Sequence, residues 1–318
     1  MALSHSVVVC TSHRLSAVRD TIDALGRTEL RPGTEVLVVN NGDAAHTNHI
    51  GHFLSAVFGG ANELWRCLHE PTPGLSRARN RGLAETRGDI VSFLDDDTSP
   101  CTNMWQRRVL DAFTDHPEVG MVGGPIRLLL PSGSEDYARW RSATTDALLS
   151  CLTGPAAAGP CGLGNIYGGN ASYRRIAVGD SRFDDALGWV HGSATAAAGE
   201  EYSFHKLLNS KNWIAWFEPT ADVWHRVPPE RLTRQWMLQR AGSIGRSIEV
   251  AASMDGTPPF SRKAKRVGRL CRCSISLLSF LMQRRTDYVF SMECDFTMNW
   301  AACFATSRPR HHASLPPG

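Results

Sequence analysis

Short runs of apolar and β-branched residues recur through the first hundred residues, and segments of helical length and pattern separate them. The apolar runs cover Ser6 to Cys10, Glu35 to Val39, Leu64 to Leu68 and Ile90 to Leu94, and the helical segments cover roughly 16–25, 47–57 and 75–86. Strands that are apolar on both faces and alternate with helices predict a parallel sheet with right-handed crossovers. The pattern therefore predicts an α/β fold.

The rest of the chain divides into segments of different character. The run from Trp105 to Phe113 places its apolar residues on one helical face, and Val119 to Gly124 resumes strand character. Residues 130–164 are rich in Gly, Pro, Ala and Ser, which is typical of loops, short helices and mobile lids. We expect one globular domain over residues 1–250, a basic helical extension over 251–304, and a disordered tail over 305–318.

Polar side chains stand where three of the predicted strands end. They occupy Thr11 to Arg14 after the first strand, Asn40 to Asp43 after the second, and Asp95 to Asp97 after the fourth. The carboxyl ends of parallel strands meet at one edge of the sheet, where open α/β folds bind their ligands. The Gly-x-Gly-x-x-Gly loop is missing after the first strand, which disfavours a nicotinamide or flavin enzyme.

The three adjacent acids Asp95, Asp96 and Asp97 directly follow a run that reads as a buried strand. Neighbouring carboxylates repel one another, so the cluster needs either a counter-charge or a solvent-filled turn. A divalent cation would supply the counter-charge. The alternative is a solvated turn that leads into the next helix, with Ser99 or Thr102 as the helix cap.

Composition narrows the class of protein further. The 318 residues carry 34 basic and 31 acidic side chains, a formal charge of +3, which gives no reason to expect a nucleic-acid partner. The nine cysteines form no Cys-x-x-Cys pair, and several lie in apolar runs, so we expect buried free thiols in a reducing compartment. The N-terminus lacks the pattern of a signal peptide, and no apolar run is long enough to span a membrane. A cytoplasmic protein is expected.

Ordered motifs between Ser6 and Ser247 together resemble family 2 glycosyltransferases of the GT-A type. In chain order the motifs are Cys10-Thr11, Val38 to Asp43, Gly74 to Gly82, Asp95-Asp96-Asp97, Gly168 to Arg175, Gly199-Glu200-Glu201 and Val223 to Pro228. The resemblance implies a Rossmann-like, mostly parallel sheet flanked by helices, with a nucleotide-binding half over 1–125 and an acceptor half over 126–250. It also implies sugar transfer from a nucleotide sugar to a hydroxyl acceptor, which is a saccharide, a glycolipid or a small molecule.

The resemblance makes Asp97 the ligand of Mg²⁺ or Mn²⁺, two cations that prefer carboxylate oxygens. Such a cation acts as a Lewis acid for a departing diphosphate. By the same resemblance Asp95 and Asp96 face the ribose or the sugar, and His225 completes the metal sphere. Alternatively, His225 simply closes a buried strand.

Inversion at the anomeric carbon needs a general base that takes the proton from the acceptor hydroxyl. The pair Glu200 and Glu201 lies where the family carries its acids, and Glu201 holds the position of the second acid. Because Glu is longer than Asp by one methylene, either member can act. These residues can also be first-turn acids that favour the helix dipole.

The remaining candidates concern the nucleotide and the acceptor. Asn40 stands where the family often has an Asp that binds the base, so the nucleotide is open between UDP, the default, and GDP or dTDP. Arg77 and Arg79 stand at a predicted helix start, where cations and free N–H groups can hold phosphate; alternatively, they are plain surface arginines. Thr11 is a candidate for the nucleotide, Arg14 and Asn80 for the nucleotide or the fold, and Asn170 for the acceptor sugar.

A basic segment, Arg262 to Arg285, has no acid and surrounds an apolar run. It predicts either a helix packed on the domain with its basic face in water or an amphipathic helix on an anionic membrane at the inner face of the cell. Two rival functions are a non-catalytic nucleotide- or sugar-binding module and a sugar nucleotidyltransferase. The latter is disfavoured because the segment SHRLSAVRD after the first strand contains no glycine.

Overall fold

The computed structural model describes residues 2–12, 14–60, 63–188, 199–254, 266–271, 273–274 and 286–304. The strands are β1 His5–Thr11, β2 Glu35–Asn40, β3 Trp65–His69, β4 Ile90–Asp95, β5 Thr98–Pro100, β6 Val119–Gly123, β7 Ile126–Leu129, β8 Gly159–Pro160, β9 Asn170–Arg174, β10 Ile214–Phe217 and β11 Val223–Arg226. The helices are α1 Leu15–Gly26, α2 His46–Phe58, α3 Leu75–Glu85, α4 Trp105–Asp115, α5 Glu135–Trp140, α6 Ala143–Leu148, α7 Arg175–Val178, α8 Glu200–Asn209, α9 Arg234–Met254 and α10 Thr286–Phe304.

The central sheet has eight strands in the order β3-β2-β1-β4-β9-β6-β10-β8. The four predicted N-terminal strands pair in parallel, which confirms the α/β prediction. Strand β9 runs antiparallel between β4 and β6, so that Asn170 pairs with Leu94 at the end of the sheet where Asp95 begins the acid cluster. The sheet is therefore mixed, and a strand from the second half of the chain borders the acids of the first half.

Three of the four apolar runs form strands that are buried on both faces, β1, β2 and β4, whereas the residues of β3 are half-buried. Val7, Val8 and Val9 are all fully buried, but Val7 and Val9 pack on one face of the sheet and Val8 on the other. Helices α1, α2 and α4 cover the first face, while α3 and α8 contribute to the second. Each fully buried side chain of this size stabilises the fold by about 1.5–3 kcal/mol, which explains why Val7 to Val9 and Val36 to Val39 contain apolar residues alone.

A small second sheet has the order β5-β11-β7. Strand β11 pairs antiparallel with β5, with His225 opposite Thr98, and parallel with β7. Since β5 begins directly after Asp97, this pairing places His225 beside the acid cluster, although the two are far apart in the sequence.

The C-terminal helices α9 and α10 pack closely against each other. Gly245 permits this approach, because a Cβ atom there would lie 2.0 Å from the carbonyl oxygen of Met298. Arg266 is buried, forms an ion pair with the buried Glu249, and donates to the carbonyl of Ala302 at 2.6 Å. At this position a basic side chain thus packs inside rather than facing water. Most of the basic segment 262–285, and the tail 305–318, lie outside the described residues.

All nine cysteines are free thiols, but only Cys10 and Cys294 are buried, so the expectation of buried thiols is correct for these two and wrong for exposed Cys271. In the described part of the chain, no helix combines the length and the apolar content that crossing a bilayer requires.

Candidate active site

The acid cluster lies in a tight connection between β4 and β5, and it is not a solvated turn. Asp96 and Asp97 are 6% and 4% exposed, and helix α4 begins at Trp105 without a side-chain cap. Asp96 accepts hydrogen bonds from Thr11 Oγ1 at 2.7 Å and from Arg14 Nη2 at 2.8 Å. Burial raises the pKa of Asp96 to about 6, with repulsion from Asp97 adding to the shift and Arg14 opposing it. Buried acids of this kind need cationic partners.

Asp97 lies beside three basic side chains, those of Arg14, Arg231 and His225. Its Oδ2 atom lies 2.8 Å from Arg14 Nη2, 3.4 Å from Arg231 Nη1 and 3.5 Å from His225 Nε2. Burial alone would raise the pKa of Asp97, but His225, Arg231 and Arg14 outweigh it and hold the pKa below its ordinary value. Asp97 is therefore an ionised carboxylate at every physiological pH.

Asp97 and His225 present a carboxylate oxygen and an imidazole nitrogen to one point. Both side chains are 6% exposed, and His225 Nδ1 is buried with no hydrogen-bond partner among the described residues. Within the ranges that the structure describes, no group of three His, Cys, Asp or Glu side chains forms a complete metal cage. Mg²⁺ and similar cations are commonly held by one or two protein ligands together with substrate phosphates. The pair thus fits a cation that binds together with a diphosphate.

Arg79 forms a second centre beside the first. Its side chain is almost fully buried, with Nη1 2.7 Å from Glu200 Oε1 and Nη2 3.5 Å from both Asp95 Oδ1 and Glu201 Oε1. Its guanidinium also lies over the ring of Phe183 at 5.6 Å. The sequence prediction placed Arg79 on the phosphates, whereas the structure shows its donors directed to three carboxylates. The contacts of Arg79 therefore hold the carboxylates of Asp95, Glu200 and Glu201 close together.

The two glutamates differ in exposure and in proton affinity. Glu200 is 3% exposed, and burial, followed by repulsion from Glu201, raises its pKa to about 7. The side chain of Glu201 is 25% exposed; burial would raise its pKa, but Arg79 lowers it overall. Both acids also open helix α8, so the alternative reading as first-turn acids holds as well. Glu201 is the accessible, ionised member of the pair.

The glycine pair before Asn170 allows this arrangement, which the sequence interpretation did not foresee. A Cβ atom on Gly168 would lie 2.2 Å from Arg79 Nη2 and 2.6 Å from Glu201 Oε1. A Cβ atom on Gly169 would lie 2.9 Å from Asp95 Oδ2. The backbone at these two residues therefore forms a wall of the site, and the signal in the sequence is the Gly-Gly step itself.

Asn170 belongs to the framework. Its side chain is 2% exposed, accepts from Trp105 Nε1 at 3.1 Å, and donates to the carbonyls of Pro125 and Ala221. The expectation that Asn170 binds the acceptor sugar conflicts with this geometry, because both amide donors are already used.

Arg77 and Asn80 point away from the acid cluster. Arg77 pairs with Asp185 at 3.3 Å, and Asn80 makes reciprocal hydrogen bonds with the backbone of Phe183. Asn80 thus has the fold-stabilising role that was one of its two predicted alternatives. The role of Arg77 on the phosphates stays a prediction.

Asn40 organises the loop after β2. The buried amide donates to the carbonyl of Asp43 at 2.8 Å and to Thr47 Oγ1 at 2.9 Å, and its oxygen accepts from the Gly42 amide at 3.1 Å. The amide donors of Asn40 are thus engaged within the loop, and the contact with a nucleotide base that the sequence suggested stays a prediction.

We expect Gly42→Ala to destabilise the protein by about 1–3 kcal/mol, the usual cost of forcing atoms into a packed region. A Cβ atom there would lie 1.5 Å from the carbonyl oxygen of Ser12, so the loops after β1 and β2 would have to separate. Urea denaturation measures the effect. Gly51→Ala is the control, because nothing lies within 4 Å of its Cβ position in helix α2. Equal stability of the two variants would contradict the prediction.

Arg231 is a site residue to which the sequence gave no role. It lies in a short 3-10 helix, Pro229–Leu232, directly after β11, and its guanidinium lies 5.7 Å from the ring of Trp236. Its proximity to Asp97 depends on the pairing of β11 with β5. The available signal was a basic residue shortly after the His-containing motif.

The fold is similar to those of solved glycosyltransferases. The mannosyltransferase PcManGT from Pyrobaculum calidifontis, solved with GDP-Man and Mn²⁺, aligns with a TM-score of 0.56 at 17% identity, covering 95% of this chain and 72% of that one. GalNAc-T7, solved with UDP, GalNAc and Mn²⁺, aligns with a TM-score of 0.54 at 15% identity, covering 78% and 48%. The fold is that of the GT-A glycosyltransferases.

Sequence comparison identifies the family. The model described as Glycosyl transferase family 2 matches residues 6–180, more than half of the chain, and the chain belongs to this family. Glycosyltransferase AglE of Haloferax volcanii is 28% identical over 140 residues, 44% of either protein. The pre-mycofactocin glycosyltransferase of Mycobacterium tuberculosis is 36% identical over 128 residues, 39% of this chain and 25% of that protein. The matches therefore span less than half of the length of these relatives.

Proposed function

We propose that the protein transfers one sugar from a nucleotide sugar to a hydroxyl acceptor, with inversion, and that it requires Mn²⁺ or Mg²⁺. The observation that carries the proposal is the convergence of Asp97, His225 and two arginines at the carboxyl ends of β1 and β4. The nucleotide and Mn²⁺ named for the two structural neighbours support it. A UDP sugar is the default donor, and GDP and dTDP sugars remain open.

The residues of the chain divide into a donor side and an acceptor side. Asp97 and His225 would hold the cation, which supplies Lewis-acid stabilisation of the departing diphosphate when bound. Thr11 and Arg14 fix Asp96 beside it, so that the donor meets acids already held in place.

On the acceptor side, Glu201 is proposed to take the proton from the attacking hydroxyl. Its partial exposure and lowered pKa keep it accessible and ionised. Arg79 orients Glu201 and links it to Asp95, so one guanidinium connects the base to the donor side. Holding groups in fixed mutual positions is a major source of rate acceleration.

Calorimetric titration with UDP, GDP and dTDP, each with and without Mn²⁺, tests the proposal. We expect one nucleotide to bind strongly only with Mn²⁺, and Asp97→Asn to weaken that binding by about 100-fold, at the upper end of losses for groups that support metal sites. Asp222→Asn is a control, because Asp222 pairs with Arg127 on the small sheet and not with the cluster. Nucleotide binding that is independent of Mn²⁺ and of Asp97 would contradict the proposed cation site.

A further inference from the structure

The guanidinium of Arg231 occupies the corner that the proposed function assigns to the cation. Arg231 Nη1 lies 3.4 Å from Asp97 Oδ2 and 3.4 Å from His225 Nε2, and these two atoms are 3.5 Å apart. One donor thus contacts both atoms that would ligate the metal.

A dication and this guanidinium cannot share the corner. Like charges at such distances repel strongly in a buried site. Arginine cannot relieve the repulsion by losing its proton, because its pKa remains far above neutrality. Arg231 must therefore move when a cation takes Asp97 and His225.

The contacts of Arg14 and Arg231 show which arginine can move. Arg14 has a second anchor, because Nη2 also lies 2.8 Å from Asp96 Oδ1. Arg231 has no second carboxylate among its described contacts, its side chain is 28% exposed, and its other neighbour is the ring of Trp236. A swing of Arg231 away from Asp97 breaks two long contacts and leaves the Arg14–Asp96 pair intact.

A diphosphate gives the displaced guanidinium a new partner. Arginine binds phosphate oxygens well because its planar donors match their geometry. The phosphates of a nucleotide bound at this edge of the sheet would lie beside the cation and thus within the surroundings of Arg231.

We propose that Arg231 is a counter-ion that keeps Asp97 and His225 closed to free divalent cations, and that a nucleoside diphosphate opens the site by binding the displaced guanidinium. The inference rests on the proposed function and extends it to the coupling between cation and nucleotide. Cation and nucleotide then bind with positive coupling, and the coupling is reciprocal.

Binding of Mn²⁺, measured by the loss of the free-ion electron paramagnetic resonance signal, tests the inference without any turnover. The proteins are the wild type, Arg231→Gln and Arg231→Lys, each alone and with UDP, GDP or dTDP. Without nucleotide, Arg231→Gln should bind Mn²⁺ about tenfold more tightly than the wild type, in line with common coupling factors. The nucleotide should then strengthen Mn²⁺ binding less in Arg231→Gln than in the wild type.

Arg231→Lys and a further variant, Arg234→Gln, separate the effect of charge from that of structure. Arg231→Lys keeps the charge and should resemble the wild type without nucleotide. Arg234→Gln removes an arginine that pairs with Glu293 at 2.7 Å on the neighbouring helix, and it should leave Mn²⁺ binding unchanged.

The possible results distinguish a failure of this inference from a failure of the proposed function. If nucleotide promotes Mn²⁺ binding in the wild type but Arg231→Gln behaves identically, the role of Arg231 is overturned and the proposed function stands. If no protein binds Mn²⁺ with any nucleotide, both are overturned.

Discussion

Glu201→Gln is expected to lower the rate of sugar transfer by about 10²- to 10⁴-fold, the usual contribution of a general base. The amide keeps the size of the side chain but cannot accept the proton of the acceptor hydroxyl. Nucleotide binding with Mn²⁺ should remain, because Glu201 contacts Arg79 and not Asp97. Release of nucleoside diphosphate, followed with an acceptor that the wild-type enzyme uses, measures the rate.

Glu200→Gln is the matched control for this prediction. Glu200 is 3% exposed and its Oε1 atom is held by Arg79 at 2.7 Å, so it cannot reach an acceptor without leaving that ion pair. We expect a smaller loss of rate than in Glu201→Gln. A larger loss in Glu200→Gln would exchange the roles of the two acids. A wild-type protein that binds nucleotide but never releases product would instead favour the non-catalytic binding module.

The N-terminal part of the sheet could be predicted from the sequence because β1, β2 and β4 are mostly apolar on both faces. The runs around Val7 to Val9 and Val36 to Val39 have no other stable environment than the middle of a sheet covered by helices. Strand β9 could not be predicted in the same way. Its sequence, NASYR, lacks an apolar run, and nothing in these five residues indicates the antiparallel pairing with β4.

The acid cluster could be located because its three members are adjacent in the sequence, but its partners could not. Whether His225 lies beside Asp97 is decided by the register of β11 against β5, a contact between distant parts of the chain. The direction of Arg79 depends on close packing of α3, where a Cβ atom on Gly82 would lie 2.6 Å from Val8 Cγ1. Arg79 lies three residues before Gly82 and therefore on the same face of α3, which packs against the sheet.

Arg79→Met is expected to destabilise the protein by about 3–5 kcal/mol, the usual cost of removing one partner of a buried ion pair. The guanidinium is the main counter-charge of Glu200 and lies near Asp95 and Glu201, so its loss leaves acids buried without compensation. Urea denaturation followed by circular dichroism measures the change. Arg77→Met is the control on the same helix, because the Arg77 side chain is 41% exposed and its pair with Asp185 should contribute only about 0–1 kcal/mol.

A double variant shows whether the loss of stability in Arg79→Met arises from unpaired charge. Adding Glu200→Gln to Arg79→Met removes the most buried of the uncompensated acids, so the double variant should recover part of the stability that the single variant loses. Two residues in direct contact are expected to show such non-additivity, by about 0.5–3 kcal/mol. If the two changes simply add, the buried Arg79–Glu200 pair is not the source of the stability.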